Sequence, residues 1–189
     1  MMNTLSNATA NTSSSMLQMK LLQQLPDLLT APLSGIEISL AYIIGGAIRG
    51  VVNGILVLVL GILITGLPVQ NIFGTLLFIF LVSWAFSSMG LVLGQLAENW
   101  DQMAMMQNFF LTPLSFLGGI FYSIKMLPEW AQTLSLVNPI YYMINGIRHT
   151  ILGIGDSSLF ISFSMAIILT FLFTILSVLL MQSGKKIKV

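Results

Sequence analysis

Cysteine is missing from this 189-residue chain. Its absence excludes a disulfide framework, a cysteine nucleophile and any thiolate-bound metal. Histidine is almost missing as well, since the single His149 argues against a histidine-ligated metal centre. Charge is scarce: 7% of residues carry it, against roughly 25% in an ordinary soluble domain. The net charge of +1, with no basic patch interleaved with aromatics, argues against nucleic acid as a partner. What remains is apolar. Hydrophobic residues make up 56% of the chain, and the mean hydropathy is +0.95. Such a chain cannot cover itself with polar surface, so lipid is its expected solvent. Twelve methionines read as gap-filling in apolar packing.

Residues 1–15 are rich in Asn, Thr and Ser, with neither the charged start nor the apolar core of a signal peptide. Asn7-Ala8-Thr9 and Asn11-Thr12-Ser13 match the short glycosylation pattern, which arises readily by chance in such a tract. This stretch reads as a disordered polar leader. Residues 16–34 read as an amphipathic surface segment. Leu21, Leu25, Leu28 and Leu29 share one helical face, and Lys20, Gln24 and Asp27 another. Pro26 suits a first helical turn and Asp27 the positive end of its dipole. Pro32 stops that helix. Ser34 and Glu37 then form a capping box that opens a new one.

Residues 35–189 form the membrane domain. Four apolar stretches reach the roughly 20 residues a bilayer requires: about 38–67, 72–96, 103–122 and 159–181. The first exceeds a hydrocarbon core of about 30 Å, so it is expected to project from the membrane or to bend at Gly45-Gly46. Residues 127–153 are cut by Pro128 and Pro139 into pieces too short to cross. Trp130, Tyr141 and Tyr142 suit the headgroup level, so short helices at one membrane face are expected here. No internal repeat supports an inverted-repeat carrier. Lys185, Lys186 and Lys188 place the C-terminus in the cytoplasm, and four spans return residues 16–34 and the Glu98–Asp101 loop to that side. Lys125 and Arg148 fall outside, against this trend.

Arg49 is the charge within a span. At mid-bilayer it costs at least about 2.5–3.5 kcal/mol on insertion scales. It faces either a polar pathway or a partner, or it snorkels to headgroups near Gly50. Gly46, Gly50 and Gly54, like Gly90 and Gly94, recur at the spacing that lets helix backbones approach, within one chain or between copies.

Enzymatic readings find little support. Gly153-Ile154-Gly155-Asp156 superficially matches an aspartyl-protease motif, but no span supplies the second aspartate that chemistry needs; the four residues read as a turn. Ser34, Ser87 and Ser115 lack a nucleophile-elbow setting, and His149 lacks an orienting carboxylate. Gly184-Lys185 is no phosphate loop, since Leu179 stands where the first glycine belongs and Lys186 where Ser or Thr does. No cofactor is expected.

The text LPDLLTAPLSGIEISLAYIIGGAIRG (residues 25–50) resembles the cytoplasmic loop and following span of permease subunits in the ABC-type-two exporter family. FLGGIFYSIKMLPEWAQTLSLVNPIYYMINGIRHTILG, later in the chain, is similar to the same family, and the likeness covers about residue 16 to the C-terminus. It implies an all-α, polytopic membrane helical bundle: four transmembrane helices, short outer re-entrant or interfacial helices, and a cytoplasmic amphipathic coupling helix. It also implies an ATP-driven export permease in the bacterial or archaeal cell membrane, without an ATP site of its own. Its partners would be a separate ATP-binding cassette subunit, a second permease copy and the bilayer. By the same resemblance, Pro26, Asp27, Leu28, Leu29, Pro32, Leu33, Ser34 and Glu37 form the ATPase-coupling surface. Asn138, Pro139, Tyr141 and Tyr142 belong to the outer re-entrant segment that caps the path. Arg49, with Gly46, Gly50 and Gly54, serves pathway or packing.

The family's first two membrane helices would precede residue 16, where only the polar leader stands, so a truncated or mis-started permease is expected. A non-transporting membrane scaffold is the alternative from another class. An ion-coupled carrier lacks the intramembrane Asp or Glu of a proton relay.

Overall fold

Capping chemistry and glycine set the helix boundaries. The computed structural model describes residues 2–25, 32–66, 68–120 and 124–183, and among these the regular elements are helical. Helix α1 spans Met2–Leu21. Helix α2 spans Gly35–Thr65, opened by the Ser34–Glu37 capping box and closed by Gly66 in the left-handed conformation at φ 66°. Helix α3, Ile72–Leu96, is capped by Asn71, whose side chain accepts from the Gly74 amide. Helix α4, Trp100–Met106, passes through a π-helical turn at Gln107–Leu111 into α5, Thr112–Leu117. A 3₁₀ turn at Ile124–Met126 leads to α6, Glu129–Val137, and α7, Pro139–Leu152. Helix α8, Leu159–Ser183, completes the described chain.

Three of these helices, α2, α3 and α8, are long and apolar enough to cross a bilayer. The expected spans at 72–96 and 159–181 coincide with α3 and α8 to within two residues. The expected span at 38–67 is α2, which starts at Gly35 and continues through Gly45-Gly46 without interruption. The expected span at 103–122 is not one regular helix. Its π turn at Gln107–Leu111 adds a residue to one turn and frees backbone groups from the regular ladder. The 18 residues Trp100–Leu117 nonetheless carry the chain from one end of the bundle to the other. Near the start, Met103 packs with Leu17 and Ala97; near the finish, the Leu114 carbonyl accepts from Asn138.

The reading of residues 1–15 as disordered leader is corrected for the described residues 2–15: they lie in α1, which packs on α2 and α3. A polar sequence holds a helix here because its hydroxyls turn inward to their own backbone. Thr9, Thr12 and Ser13 donate to the carbonyls of Leu5, Ala8 and Thr9 at 2.9, 3.1 and 2.8 Å. Each hydroxyl is thereby satisfied without water. Small side chains do the rest. Thr4, Ala8 and Thr12 of α1 lie against Gly54, Gly50 and Gly46 of α2, so the two helices run antiparallel, while Thr9 and Ser13 lie against Gly90 and Gly94 of α3. The glycine spacing thus serves packing within the chain. Across this seam Thr12 Oγ1 and Ser87 Oγ lie 2.8 Å apart, so one hydroxyl donates to the other in place of its carbonyl, Ala8 for Thr12 or Ile43, also at 2.8 Å, for Ser87.

Helix α3 is the central element: it contacts α1, α2, α7 and α8. Its apolar core gathers Phe78, Val82 and Phe86 with Leu5 of α1, Met143 of α7 and Ala166 of α8. A second cluster of Met16, Leu25, Ile38, Leu91 and Met181 closes one end of the bundle.

A Cβ at Gly90 would lie 2.5 Å from the Thr9 carbonyl oxygen, and one at Gly94 would lie 2.7 Å from that of Ser13. Gly90→Ala and Gly94→Ala are expected to lower the thermal midpoint of the detergent-solubilised protein, each costing about 1–3 kcal/mol. Gly45 and Gly61 have nothing within 4 Å of a Cβ. Their alanine variants are expected to be neutral or to gain up to about 1 kcal/mol. Equal losses at all four positions would contradict the packing described.

Candidate functional site

Among the described residues, polar side chains gather along one side of the bundle and at each of its ends. The side constellation starts from α1. Asn3, Asn7 and Asn11 repeat every four residues on the face turned away from α3, and Asn7 Nδ2 donates to the Asn3 carbonyl at 2.8 Å and to Asn3 Oδ1 at 2.5 Å. Arg49 of α2 joins this ladder, its Nη1 donating to Asn11 Oδ1 at 2.5 Å, and Asn53 donates to the Arg49 carbonyl at 3.0 Å. Arg49 is exposed, and Asn7, Asn11 and Asn53 are half-buried. Gly46, Gly50 and Gly54 sit one strip inward, against Thr12, Ala8 and Thr4. Their role in this structure is to bring the two polar edges together.

At one end, Lys20 is 4% exposed, and its Nζ donates to the carbonyls of Gln95 and Ala97 at 3.3 and 3.0 Å. A cation here meets the negative end of the α3 dipole and satisfies carbonyls the helix leaves open. At the same end, Ser34 Oγ accepts from the Glu37 amide at 3.3 Å, and a Glu37 carboxylate oxygen accepts from the Ser34 amide at 2.7 Å. Pro32, Leu33, Ser34 and Glu37 of the expected coupling surface are all exposed. Pro26, Asp27, Leu28 and Leu29 lie outside the described residues, as do Lys185, Lys186 and Lys188.

The opposite end is built on α7. Asn138 caps it by accepting from the Ile140 amide at 3.0 Å, and its Nδ2 reaches the Leu114 carbonyl at 2.5 Å. Pro139 occupies the first helical position, where a missing N–H costs nothing. Tyr142 donates to the Leu136 carbonyl at 2.9 Å. Tyr141, expected at the headgroup level, is buried within the protein at 3% exposure. Burial pushes its phenol above the ordinary tyrosine range, and a hydrogen bond with Ser157 opposes the shift. Trp130 does stand exposed.

Asn145 organises the turn between α7 and α8. Its Nδ2 donates to Ser157 Oγ at 2.7 Å and Ser162 Oγ at 3.1 Å, while its Oδ1 accepts from the Asp156 amide at 2.7 Å. Gly153 caps α7 at φ 72°, so Gly153–Asp156 is a turn. Arg148 ties this turn to the chain just after α5: Nη1 lies 3.5 Å from Asp156 Oδ2, and Nη2 donates to the Gly119 carbonyl. The loop before α3 joins the same end, with the Gln70 and Asn71 amides donating to the carbonyls of Ile151 and Thr150.

Sequence reasoning missed Lys20 as a buried cap, Asn145 as an organiser and Gln107. The last donates from Nε2 to Ser13 Oγ at 2.6 Å, fastening the π turn to α1. The available signal was the four-residue period of Asn3, Asn7 and Asn11 beside Thr4, Ala8 and Thr12. A partly open apolar groove of about 460 Å³ lies among Phe86, Met89, Phe110, Met143 and Phe173, without a polar group to do chemistry. Among the described residues no three His, Cys, Asp or Glu side chains cluster as metal ligands would.

The structure is a helical bundle with membrane-length apolar helices, a polar side face and two tied ends, and the comparisons give its class, a transport permease. The family profile "ABC-2 type transporter" matches residues 1–152. Over 188 residues the chain is 36% identical to the Inner membrane transport permease YadH of Escherichia coli K12, covering 100% of this chain and 73% of the relative. It is also 35% identical to Nodulation protein J of Sinorhizobium fredii over 72 residues, covering 38% of this chain and 28% of the relative. No solved structure matches significantly. This chain belongs to the ABC-2 type transporter family as a permease subunit. It is a multi-pass protein of the cytoplasmic membrane. The likeness reaches residue 1 rather than starting near residue 16, which brings α1 into the family's membrane domain.

Replacing Asn145 by Ala orphans the hydroxyls and amides it joins. The expected outcome is a cost of about 1–3 kcal/mol, read as a lowered thermal midpoint in detergent. Lys20→Met is expected to cost about 1.5–3 kcal/mol by the loss of charge-assisted bonds. A midpoint unchanged in both variants would contradict these end constellations.

Proposed function

We propose that this permease is the membrane subunit of an ATP-driven exporter, that it forms a translocation path with a second copy, and that it docks a separate ATPase subunit. The observation that carries the reading is whole-chain similarity to an inner membrane transport permease, 36% identity across 100% of this chain. The geometry supports it. The start of α2, the C-terminal ends of α1, α3 and α8, and residues 32–37, exposed except for half-buried Gly35, gather at one end of the bundle. The basic tail of residues 185–188 assigns that end to the cytoplasm. A docking surface there would consist of the Pro26–Leu29 stretch of the sequence followed by Pro32, Leu33, Ser34 and Glu37. The α6–α7 end then faces outward and caps the path. The chain's own sequence offers no phosphate-binding loop, so ATP would be bound and hydrolysed by the partner. Hydrolysis there shifts the permease between inward- and outward-open states by binding them unequally.

The docking reading is tested by co-expressing the permease with its ATPase and recovering the complex in mild detergent. Reversing the charge of Asp27 with Lys, together with Glu37→Gln, is expected to reduce ATPase recovery roughly tenfold. Gln at position 37 retains a capping-box partner for Ser34, so a folding defect is not the expected cause. Unchanged recovery would contradict docking at this surface.

A further inference from the structure

The polar side face is in the wrong place for lipid. Helix α2 has 31 residues, and Arg49 lies about 21 Å from its start and about 24 Å from its end at 1.5 Å per residue. The guanidinium is therefore near the middle of a membrane-crossing helix. It runs sideways to Asn11 Oδ1 at 2.5 Å rather than along the stem toward a headgroup. Asn7 and Asn53 lie about one helical turn from this pair and Asn3 one turn further along α1, and their amides would be costly against acyl chains.

Nothing in the described chain neutralises Arg49. The described acids are Glu37, Glu98, Asp101, Glu129 and Asp156. Asp156 pairs with Arg148; Glu98, Asp101 and Glu129 sit at helix starts. Glu37 lies twelve residues before Arg49 on α2, about 18 Å along the axis, and accepts from Ser34. A second copy meeting this face across a two-fold axis would bring a second uncompensated arginine. Among the described residues the guanidinium therefore has a hydrogen-bond partner but no counter-charge.

We propose that the face formed by Asn3, Asn7, Asn11, Arg49 and Asn53 is a water-filled binding stripe for an anionic, hydrogen-bonding group, a phosphate or carboxylate carried by the exported molecule. Arg49 supplies the attraction and the planar donor fork. The asparagine amides supply donors and acceptors for the neutral part of the same polar group. This rests on the permease reading and adds to it the chemical class of the cargo.

The chain has no cysteine, so single cysteines report without background. Asn3→Cys, Asn7→Cys and Asn53→Cys in the full chain are to be labelled in membranes. The probes are anionic sulfonatoethyl methanethiosulfonate and its cationic trimethylammonioethyl counterpart, with rates normalised to a free thiol. All three positions should react, and Phe171→Cys on the exposed apolar face of α8 should not. At positions 7 and 53, about 6 Å along the helices from the Arg49–Asn11 pair, the anionic reagent should be favoured roughly tenfold, since one unit charge at that distance in water shifts each reagent's local concentration about threefold in opposite senses; at position 3, about 12 Å away, the preference should fall to roughly threefold. Arg49→Gln should bring the ratio to about one, and Arg49→Lys should preserve it. No reaction at the three positions, a ratio near one with Arg49 present, or a preference that survives Arg49→Gln would overturn the proposal. So would unreactive thiols that oxidise into cross-linked dimers, which would show a second copy covering the face. Labelling needs neither ATPase nor transport, so its failure beside an intact ATPase complex refutes the stripe alone.

Discussion

The close approach of α1 to the glycine faces of α2 and α3 is the constraint on which the rest of the architecture depends. In lipid there is little hydrophobic drive to bring helices together, so contact must come from packing and hydrogen bonds. Here the contact is backbone against backbone. Thr9 and Ser13 lie with their carbonyls at the positions a Cβ of Gly90 or Gly94 would approach, and Thr12 bonds Ser87 across the seam. Any larger residue at those glycines pushes α1 out. With α1 in place, its inward face is consumed by packing and its asparagines must point the other way, beside Arg49. The polar stripe is thus a geometric consequence of the glycine seam.

The two ends fix what lies between them. Lys20 ties the last turn of α1 to the last carbonyls of α3, next to the exposed segment that opens α2. Arg148 and Asn145 tie α7, the first turn of α8 and the chain just after α5 at the other end. The π turn at Gln107–Leu111 sits between these anchors and is held to α1 by Ser13. A π turn is a place where a helix is interrupted rather than continuous.

How much of this was legible in the sequence depends on which physical signal each element carried. Helices α3 and α8 are continuous apolar runs, so hydropathy alone located them. The start of α2 was written in Ser34 and Glu37, and the end of α7 in Gly153, because capping and left-handed turns have local chemical signatures. Helix α1 was hidden because Ser, Thr and Asn favour turns in water, where their side chains compete for the backbone. In an apolar surround the same hydroxyls bond carbonyls four residues back and support the helix instead. The π turn had no local signature, since its residues are as apolar as a regular span. Lys20 looked like the polar edge of a surface helix; its partners are 75 and 77 residues away, beyond the reach of a local pattern. For Arg49 the sequence located the charge but not the Asn11 beside it.

The central claim is that the Ser/Thr/Asn-rich start of the chain is a packed membrane helix. Amide hydrogen–deuterium exchange of the detergent- or nanodisc-embedded protein tests it most directly, followed peptide by peptide over residues 4–20. Protection there comparable to that of α3 is the outcome this structure predicts, because both helices share one seam and open together. Exchange at the rate of an unstructured peptide, with α3 still protected, would contradict the account at its base.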